Sequence, residues 1–251
     1  MTKKQPTIRA DKYLSSLGIA SRRNIEIFLK KNNISANGKR ILEHGERIPL
    51  NSDITINGKK LYRPKKVYFM LNKPKDYIST VSDEYGRKNV LSLIKTKERI
   101  FPIGRLDKDT EGLLLLTNDG ELTNLLIHPR YHILKVYQLT IKGSPENAQI
   151  ERFRSGVELD DGKTLPANMQ PMYKETCKTV LKVGLYEGRK RQIRRMCEAL
   201  GMHLLDLQRI EFGPLGLGNL KLGEYRTLTS KEVLQLKNSS TQKPAGSTKL
   251  A

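Results

Sequence analysis

The sequence predicts an α+β protein, with a small N-terminal α/β module followed by a larger domain organised around a mixed, mainly antiparallel sheet. Three observations lead to this. The 251 residues, 37% of them apolar, suffice for one large core with a smaller one beside it. Residues 1–66 hold sixteen Lys or Arg against five Asp or Glu, so the first quarter of the chain carries more than half of the +20 excess charge. From Val67 onward, short apolar runs and helical periods follow one another without strict βαβ alternation, which favours an antiparallel arrangement.

In chain order, Asp11 to Leu17 reads as a short helix closed by Gly18, and Ser21 is placed to cap a second helix running to about Asn32. There Ile25, Phe28 and Leu29 fall at i, i+3, i+4 and form the buried stripe. Arg22 and Arg23 then occupy its first turn, where two cations oppose the helix dipole but suit a bound phosphate. Short strands at Ile34–Asn37 and Ile54–Ile56 each run into an Asn-Gly turn. Leu61 to Lys66, interrupted by Pro64, reads as a linker. Strands are expected at Val67–Leu71, Leu113–Thr117, Leu134–Lys142 and Thr179–Leu185, with a turn over Asn72–Asp76. Helices are expected near Asp119–Ile127, Glu146–Phe153 and Arg191–Leu200, and the capping-box spacing of Thr229 and Glu232 starts a last one. The resulting divisions are 1–60 for the basic module, 61–66 for the linker, 67–236 for the larger domain and 237–251 for a polar tail with nothing to bury.

An excess of +20 makes a polyanion, nucleic acid first, the expected partner. No apolar run approaches eighteen residues and no leader stands at Met1, so no membrane partner and a cytoplasmic protein are expected. Cys177 and Cys197 make no disulfide framework. His128 and His132 flank a helix-breaking Pro129, so no zinc site, and no metal, is expected. A monomer is the default.

Chemistry is sought where Gly104–Gly112 runs into Leu113–Leu116: two carboxylates, Asp107 and Asp109, lie in a polar loop before a buried strand. Each could equally be a turn residue. A second basic segment, Glu187–Cys197, places Ile193, Met196, Cys197 and Leu200 on a core-facing stripe and leaves Arg191, Arg194 and Arg195 on other faces. Glu198 could pair with Arg194, but one exposed pair is worth only about 0.3–0.5 kcal/mol and does not call for five cations within seven residues. Phosphates, or a carboxylate needing a partner, explain the cluster better. Tyr137 shares a strand face with Leu139 and Ile141 and suits either a core or a stacking role.

Ile8–Leu14 with Gly18–Arg23 and Asn37-Gly38-Lys39 resembles the RNA-binding domain of ribosomal small-subunit protein four, over about residues 8 to 60. That resemblance implies docking on structured RNA by shape and phosphate contacts. Gly104-Arg105-Leu106-Asp107 with Thr110 and Gly112, Lys135-Val136-Tyr137, and Gly188–Arg195 look like the three successive motifs of the RsuA-type ribosomal RNA pseudouridine synthases. The likeness covers about residues 67 to 234. It implies a long sheet split into two halves with the active cleft between them, and isomerisation of uridine in small- or large-subunit ribosomal RNA without any cofactor.

By the same resemblance Asp107 is the catalytic group, Arg194 the arginine that pairs with it, Tyr137 the ring that stacks on a flipped-out base and Arg105 the residue that enters the vacated space. Lys73 and Arg209 are expected to touch the RNA backbone, together with Arg191, Arg22 and Arg23. One departure is Asp76, where the family pattern has glycine; aspartate tolerates a left-handed backbone. Two rivals stay open at this point: a non-catalytic RNA-binding ribosome-assembly factor, and a nuclease in which Asp107, Asp109 and Glu111 hold a metal. A DNA-binding regulator is disfavoured because no recognition-helix pair stands out.

Overall fold

The computed structural model describes residues 5–239 and divides the chain into two compact units. The first comprises the described residues up to Val67 with the short segments Thr96–Arg99 and Asn118–Gly120. Its elements are β1 (Thr7–Arg9), α1 (Ala10–Ser16), α2 (Ile25–Lys31), β2 (Ile34–Ala36), β3 (Lys39–Arg40), β4 (Arg47–Pro49), β5 (Ile54–Ile56) and β6 (Lys59–Lys60). Strands β3-β2-β5-β6 form one antiparallel sheet, and β1 pairs with β4. The two Asn-Gly pairs close the hairpins as two-residue turns with positive φ at both positions, 49° and 82° at Asn37-Gly38 and 51° and 79° at Asn57-Gly58. Ala10, Tyr13 and Leu14 of α1 and Ile25 and Leu29 of α2 pack with Ile34 and Ile54 into this unit's own core.

The second helix begins three residues later than its sequence suggests. Asn24 N–H donates to the Ser21 carbonyl at 2.9 Å, so residues 21–24 make a turn and neither Arg22 nor Arg23 lies in a first helical turn. The cause is an acidic side chain earlier in the chain. Arg22 Nη2 reaches the buried carboxylate of Asp11 at 2.9 Å, and Arg9 Nε meets the other oxygen at 3.1 Å. Burial alone would raise the Asp11 pKa, but these two guanidinium bonds outweigh it and hold the group below its usual range. Arg23 is exposed with no partner among the described residues.

The larger unit is built on β7 (Tyr68–Lys73), β8 (Phe101–Pro102), β9 (Glu111–Thr117), β10 (Lys135–Lys142), β11 (Asn168–Lys174), β12 (Lys178–Leu185), β13 (Leu204–Phe212), β14 (Leu215–Gly216) and β15 (Tyr225–Thr227). Helices α3 (Gly120–Ile127), α4 (Asn147–Ser155), α5 (Gln192–Ala199) and α6 (Ser230–Ser239) flank the strands. All nine strands join one sheet in the order β11-β12-β10-β13-β9-β7-β15, with β14 on β13 and β8 on β9. Every pairing is antiparallel except β13 with β9, which touch through only two residue pairs, Gln208 with Glu111 and Arg209 with Gly112. This parallel seam separates two hydrophobic cores. One gathers Leu139, Phe153, Leu181, Ile193 and Met196 on the β10–β12 side; the other gathers Met70, Leu113, Leu115, Leu126 and Leu236 on the β7–β9 side.

Five strands of the sheet, β8, β11, β13, β14 and β15, escaped the sequence reading, and for the two long ones the reasons are identifiable. β11 is an edge strand carrying Pro171, a residue that a ladder tolerates only at an edge or irregularity, and the register shifts there. β13 puts Arg209 at a core-side position, next in alternation to Leu207, which erases the apolar signature of a buried strand. At the far end, the Thr229–Glu232 capping box forms: Glu232 N–H donates to Thr229 Oγ1 at 3.2 Å, and Thr229 N–H to the Glu232 carboxylate at 2.8 Å. The helix it starts continues to Ser239, past the expected end of the domain at 236, and the remainder of the expected tail lies outside the described residues.

Candidate active site

The loop from Gly104 to Thr110 enters β9 immediately before the seam, and it is tied down along its length. Gly104 takes φ of 73°, a turn conformation suited to glycine. Leu106 is buried, its N–H donating to Ser79 Oγ at 3.1 Å while the same hydroxyl donates to the Leu106 carbonyl at 2.9 Å. Asp76 adopts the left-handed backbone, φ 67°, and its N–H donates to the Lys108 carbonyl at 2.9 Å. Aspartate therefore holds a left-handed turn position here.

Lys73 has 0% exposure and corrects its expected role. Its ammonium donates to the carbonyls of Thr110 at 2.8 Å, Pro74 at 2.9 Å and Lys108 at 3.4 Å, so it braces the loop from inside and is withdrawn from any RNA backbone. Burial pushes its pKa down to about 8, against the pull of Asp109, Glu111, Asp107 and Asp76. Lys73→Met keeps the chain length but leaves three carbonyls without their donor. We expect unfolding free energy to fall by about 2–3 kcal/mol in denaturant titration, the scale of unsatisfied buried acceptors, together with loss of activity. Unchanged stability would show that the brace contributes nothing.

Of the two carboxylates, Asp109 takes the cations. Arg191 lies at 3.3 Å and Arg194 at 3.3 Å from its oxygens, and Arg194 Nη2 also donates to the Asp109 carbonyl at 2.9 Å and to Thr110 Oγ1 at 3.4 Å. Partial burial would raise the Asp109 pKa, but the Arg191 hydrogen bond and the charges of Arg194 and Arg191 hold it below the ordinary carboxylate range. The expected Arg194–Asp107 pair is thus replaced by Arg194–Asp109, because Arg194 reaches the loop at its C-terminal end. Glu198 takes no part. Asp107 has no hydrogen bond to its carboxylate among the described residues; the nearest cation is Arg191 Nη1 at 4.0 Å, and the side chain is 34% exposed.

Arg191 holds φ 50° and ψ 33° at the start of α5, a left-handed conformation costing a residue with a Cβ about 1–2 kcal/mol. Two other cations of that segment serve structure. Arg189 donates to the carbonyls of Gly162 and Lys163, each at 2.7 Å, and Arg195 clamps the carboxylates of Asp160 and Asp161. Lys190 is exposed without a partner among the described residues, and so is Arg105.

Arg209 is the second correction. It is 2% exposed; its Nε donates to the Leu113 carbonyl at 2.7 Å and its guanidinium lies 5.0 Å from the Phe212 ring centroid, so it cannot meet an RNA backbone. Burial lowers its pKa, opposed by the neighbouring Tyr137 hydroxyl. Tyr137 faces Arg209 across β10 and β13 beside a register shift, and its ring lies against the β10–β12 core, half-buried. Asp109 thus joins Arg191 and Arg194, and Arg194 also reaches Thr110; Asp107 stands beside this group with Arg191 Nη1 at 4.0 Å, while Tyr137 attaches to the same seam through its register partner Arg209. Lys73, Ser79 and Asp109 carry structural roles that sequence patterns did not reveal. The one available signal was a lysine two residues after the apolar run Phe69–Leu71, on the same strand.

Among the described residues no group of three or more His, Cys, Asp or Glu is arranged to hold a metal ion, and no helix is long and apolar enough to cross a membrane.

Comparison with known proteins identifies the family. Residues 67–199 match the RNA pseudouridylate synthase family. The ribosomal large subunit pseudouridine synthase B of Bacillus subtilis is 41% identical over 232 residues, covering 91% of this chain and 95% of that protein. A dual-specificity RNA pseudouridine synthase of Salmonella typhi is 34% identical, covering 91% of this chain and 78% of its own. Among solved structures, a pseudouridylate synthase crystal structure is similar at a TM-score of 0.67 and 27% identity, covering 91% of this chain and 99% of the other. The chain belongs to the RNA pseudouridine synthase family, of the RsuA type that its three motifs resemble.

Proposed function

We propose that this enzyme isomerises a specific uridine of ribosomal RNA to pseudouridine, with Asp107 as the catalytic group. One observation carries the proposal. The Gly104–Thr110 loop is pinned by Lys73, Ser79, Asp76 and Arg194, yet the carboxylate of Asp107 at its centre is left without a hydrogen bond and partly open to solvent. A carboxylate held in an ordered loop and not spent on an internal hydrogen bond supports a role in acting on a substrate. The B. subtilis relative, named for the ribosomal large subunit, supports ribosomal RNA as the substrate class.

The reaction breaks the bond between C1′ of the ribose and N1 of uracil, turns the base and joins C1′ to C5. The proton on C5 leaves to solvent and N1 regains one. Asp107 acts either as a nucleophile on the nucleoside or as a base on a sugar proton, giving a glycal; both routes need an ionised carboxylate. A uridine inside a helix is out of reach, so it must be extruded at a cost of roughly a few kcal/mol. Tyr137 stacks on the extruded base, a contact worth about 1–3 kcal/mol, and Arg105 fills the gap in the stack. Arg191 is the cation nearest to Asp107, and Arg194 acts on it through the loop backbone.

Tritium at uracil C5 reports the reaction directly. Wild-type protein incubated with C5-tritiated ribosomal RNA transcripts should release tritium to water in proportion to pseudouridine formed; no release from the RNA of either subunit refutes the proposal.

In the N-terminal unit, the unpartnered Arg23 is proposed to contact phosphate. Arg23→Ala should weaken RNA binding and flatten the slope of log affinity against log salt by about one phosphate's worth. An unaltered slope would make Arg23 ordinary surface. Arg22→Ala should act differently, by depriving the buried Asp11 carboxylate of one of its two guanidinium partners.

A further inference from the structure

Beyond the catalytic loop, residues 78–89 form a closed loop with an internal scaffold. Its stems meet where Ile78 N–H donates to the Lys88 carbonyl at 3.0 Å and Val90 N–H to the Ile78 carbonyl at 3.1 Å. Inside, the Asp83 carboxylate, only 5% exposed, accepts from Arg87 N–H at 2.7 Å, Nε at 3.0 Å and Nη2 at 2.6 Å. The loop is therefore organised around one carboxylate and not around an apolar core. Tyr85 is left 80% exposed at its tip, with the Arg87 guanidinium 5.1 Å from the ring centroid. A second cation, Lys88, lies 5.9 Å from the centroid of Tyr77.

The location of this loop gives it meaning. Ser79, at its base, is the residue that exchanges two hydrogen bonds with Leu106, the residue between Arg105 and Asp107. A ring held in water, with a guanidinium against it and further cations nearby, matches the way single-stranded nucleic acid is bound: bases stack on aromatic rings while phosphates meet cations. We propose that Tyr85 stacks an unpaired nucleotide flanking the target uridine, with Arg87 holding the ring in place and Lys88 facing the adjoining phosphates. This rests on the RNA-modifying reading above and adds a second base-binding position to it.

Two measurements test it separately from that reading. In tritium-release kinetics on ribosomal RNA transcripts, Tyr85→Ala should raise KM roughly tenfold, the effect of one lost stack, with kcat within about twofold. Tyr85→Phe, which keeps the ring, should behave as wild type, and all variants should share the wild-type melting temperature because the ring buries nothing. Independently of turnover, transcripts substituted with 4-thiouridine should photo-crosslink to the Tyr85 peptide. An active wild type with KM unchanged in Tyr85→Ala, or a Phe variant as impaired as the Ala variant, overturns the stacking role. So do crosslinks mapped to other peptides with none on Tyr85. Failure of the wild type to release tritium would instead sink the catalytic proposal, leaving the crosslink to decide for Tyr85.

Discussion

Asp107→Asn is expected to abolish tritium release, with a loss on the order of 10⁴-fold or more, because an amide is neither nucleophile nor base at neutral pH. The same substitution should leave stability within about 0.5 kcal/mol, since the Asp107 carboxylate makes no hydrogen bond that an amide would forfeit. RNA affinity should stay within about twofold, because binding is dominated by phosphate contacts elsewhere. This triple signature separates Asp107 from its neighbour. Asp109→Asn removes the carboxylate charge shared by Arg191 and Arg194, so it should soften the loop and lower activity by roughly 10–100-fold while also lowering stability. Turnover retained in Asp107→Asn but lost in Asp109→Asn would transfer the catalytic role to Asp109.

Gly112→Ala is expected to be the most destabilising single substitution at the site. Gly112 has φ of 106°, where a side chain is strained, and an added Cβ would lie 2.2 Å from the Arg209 carbonyl oxygen and 2.7 Å from its nitrogen. Both atoms are backbone, so no rotamer change relieves the overlap and β13 must part from β9. We expect a loss of about 3–5 kcal/mol in denaturant titration, at the upper end for a point substitution, with activity lost even where the protein stays folded. Near-wild-type stability would mean that the two strands are free to separate at this point.

Features governed by neighbouring residues are the legible ones. Asn37-Gly38 and Asn57-Gly58 prescribe their turns locally, Thr229 and Glu232 their cap, and the 3.6-residue repeat of Ile193, Met196 and Leu200 the buried face of α5. The Asp107 loop is legible as a motif. What the sequence conceals is which charge goes inside. Lys73 and Arg209 have the composition of surface residues, yet both are buried because each donates to backbone carbonyls on a strand or loop distant in the chain. The same blindness affects partner choice. Arg194 is separated from Asp107 and Asp109 by more than eighty residues, and only the folded path of α5 against the loop decides between them.

The narrow seam between β9 and β13 has a mechanical meaning. Two separate interiors whose strands meet through only two ladder pairs make that line the expected place for the molecule to yield first, and a small opening there would admit a bulky nucleoside. Hydrogen–deuterium exchange should reveal it as a strip of fast-exchanging amides at Arg209 and Gly112 between two slowly exchanging blocks, and that strip should slow once RNA spans the joint.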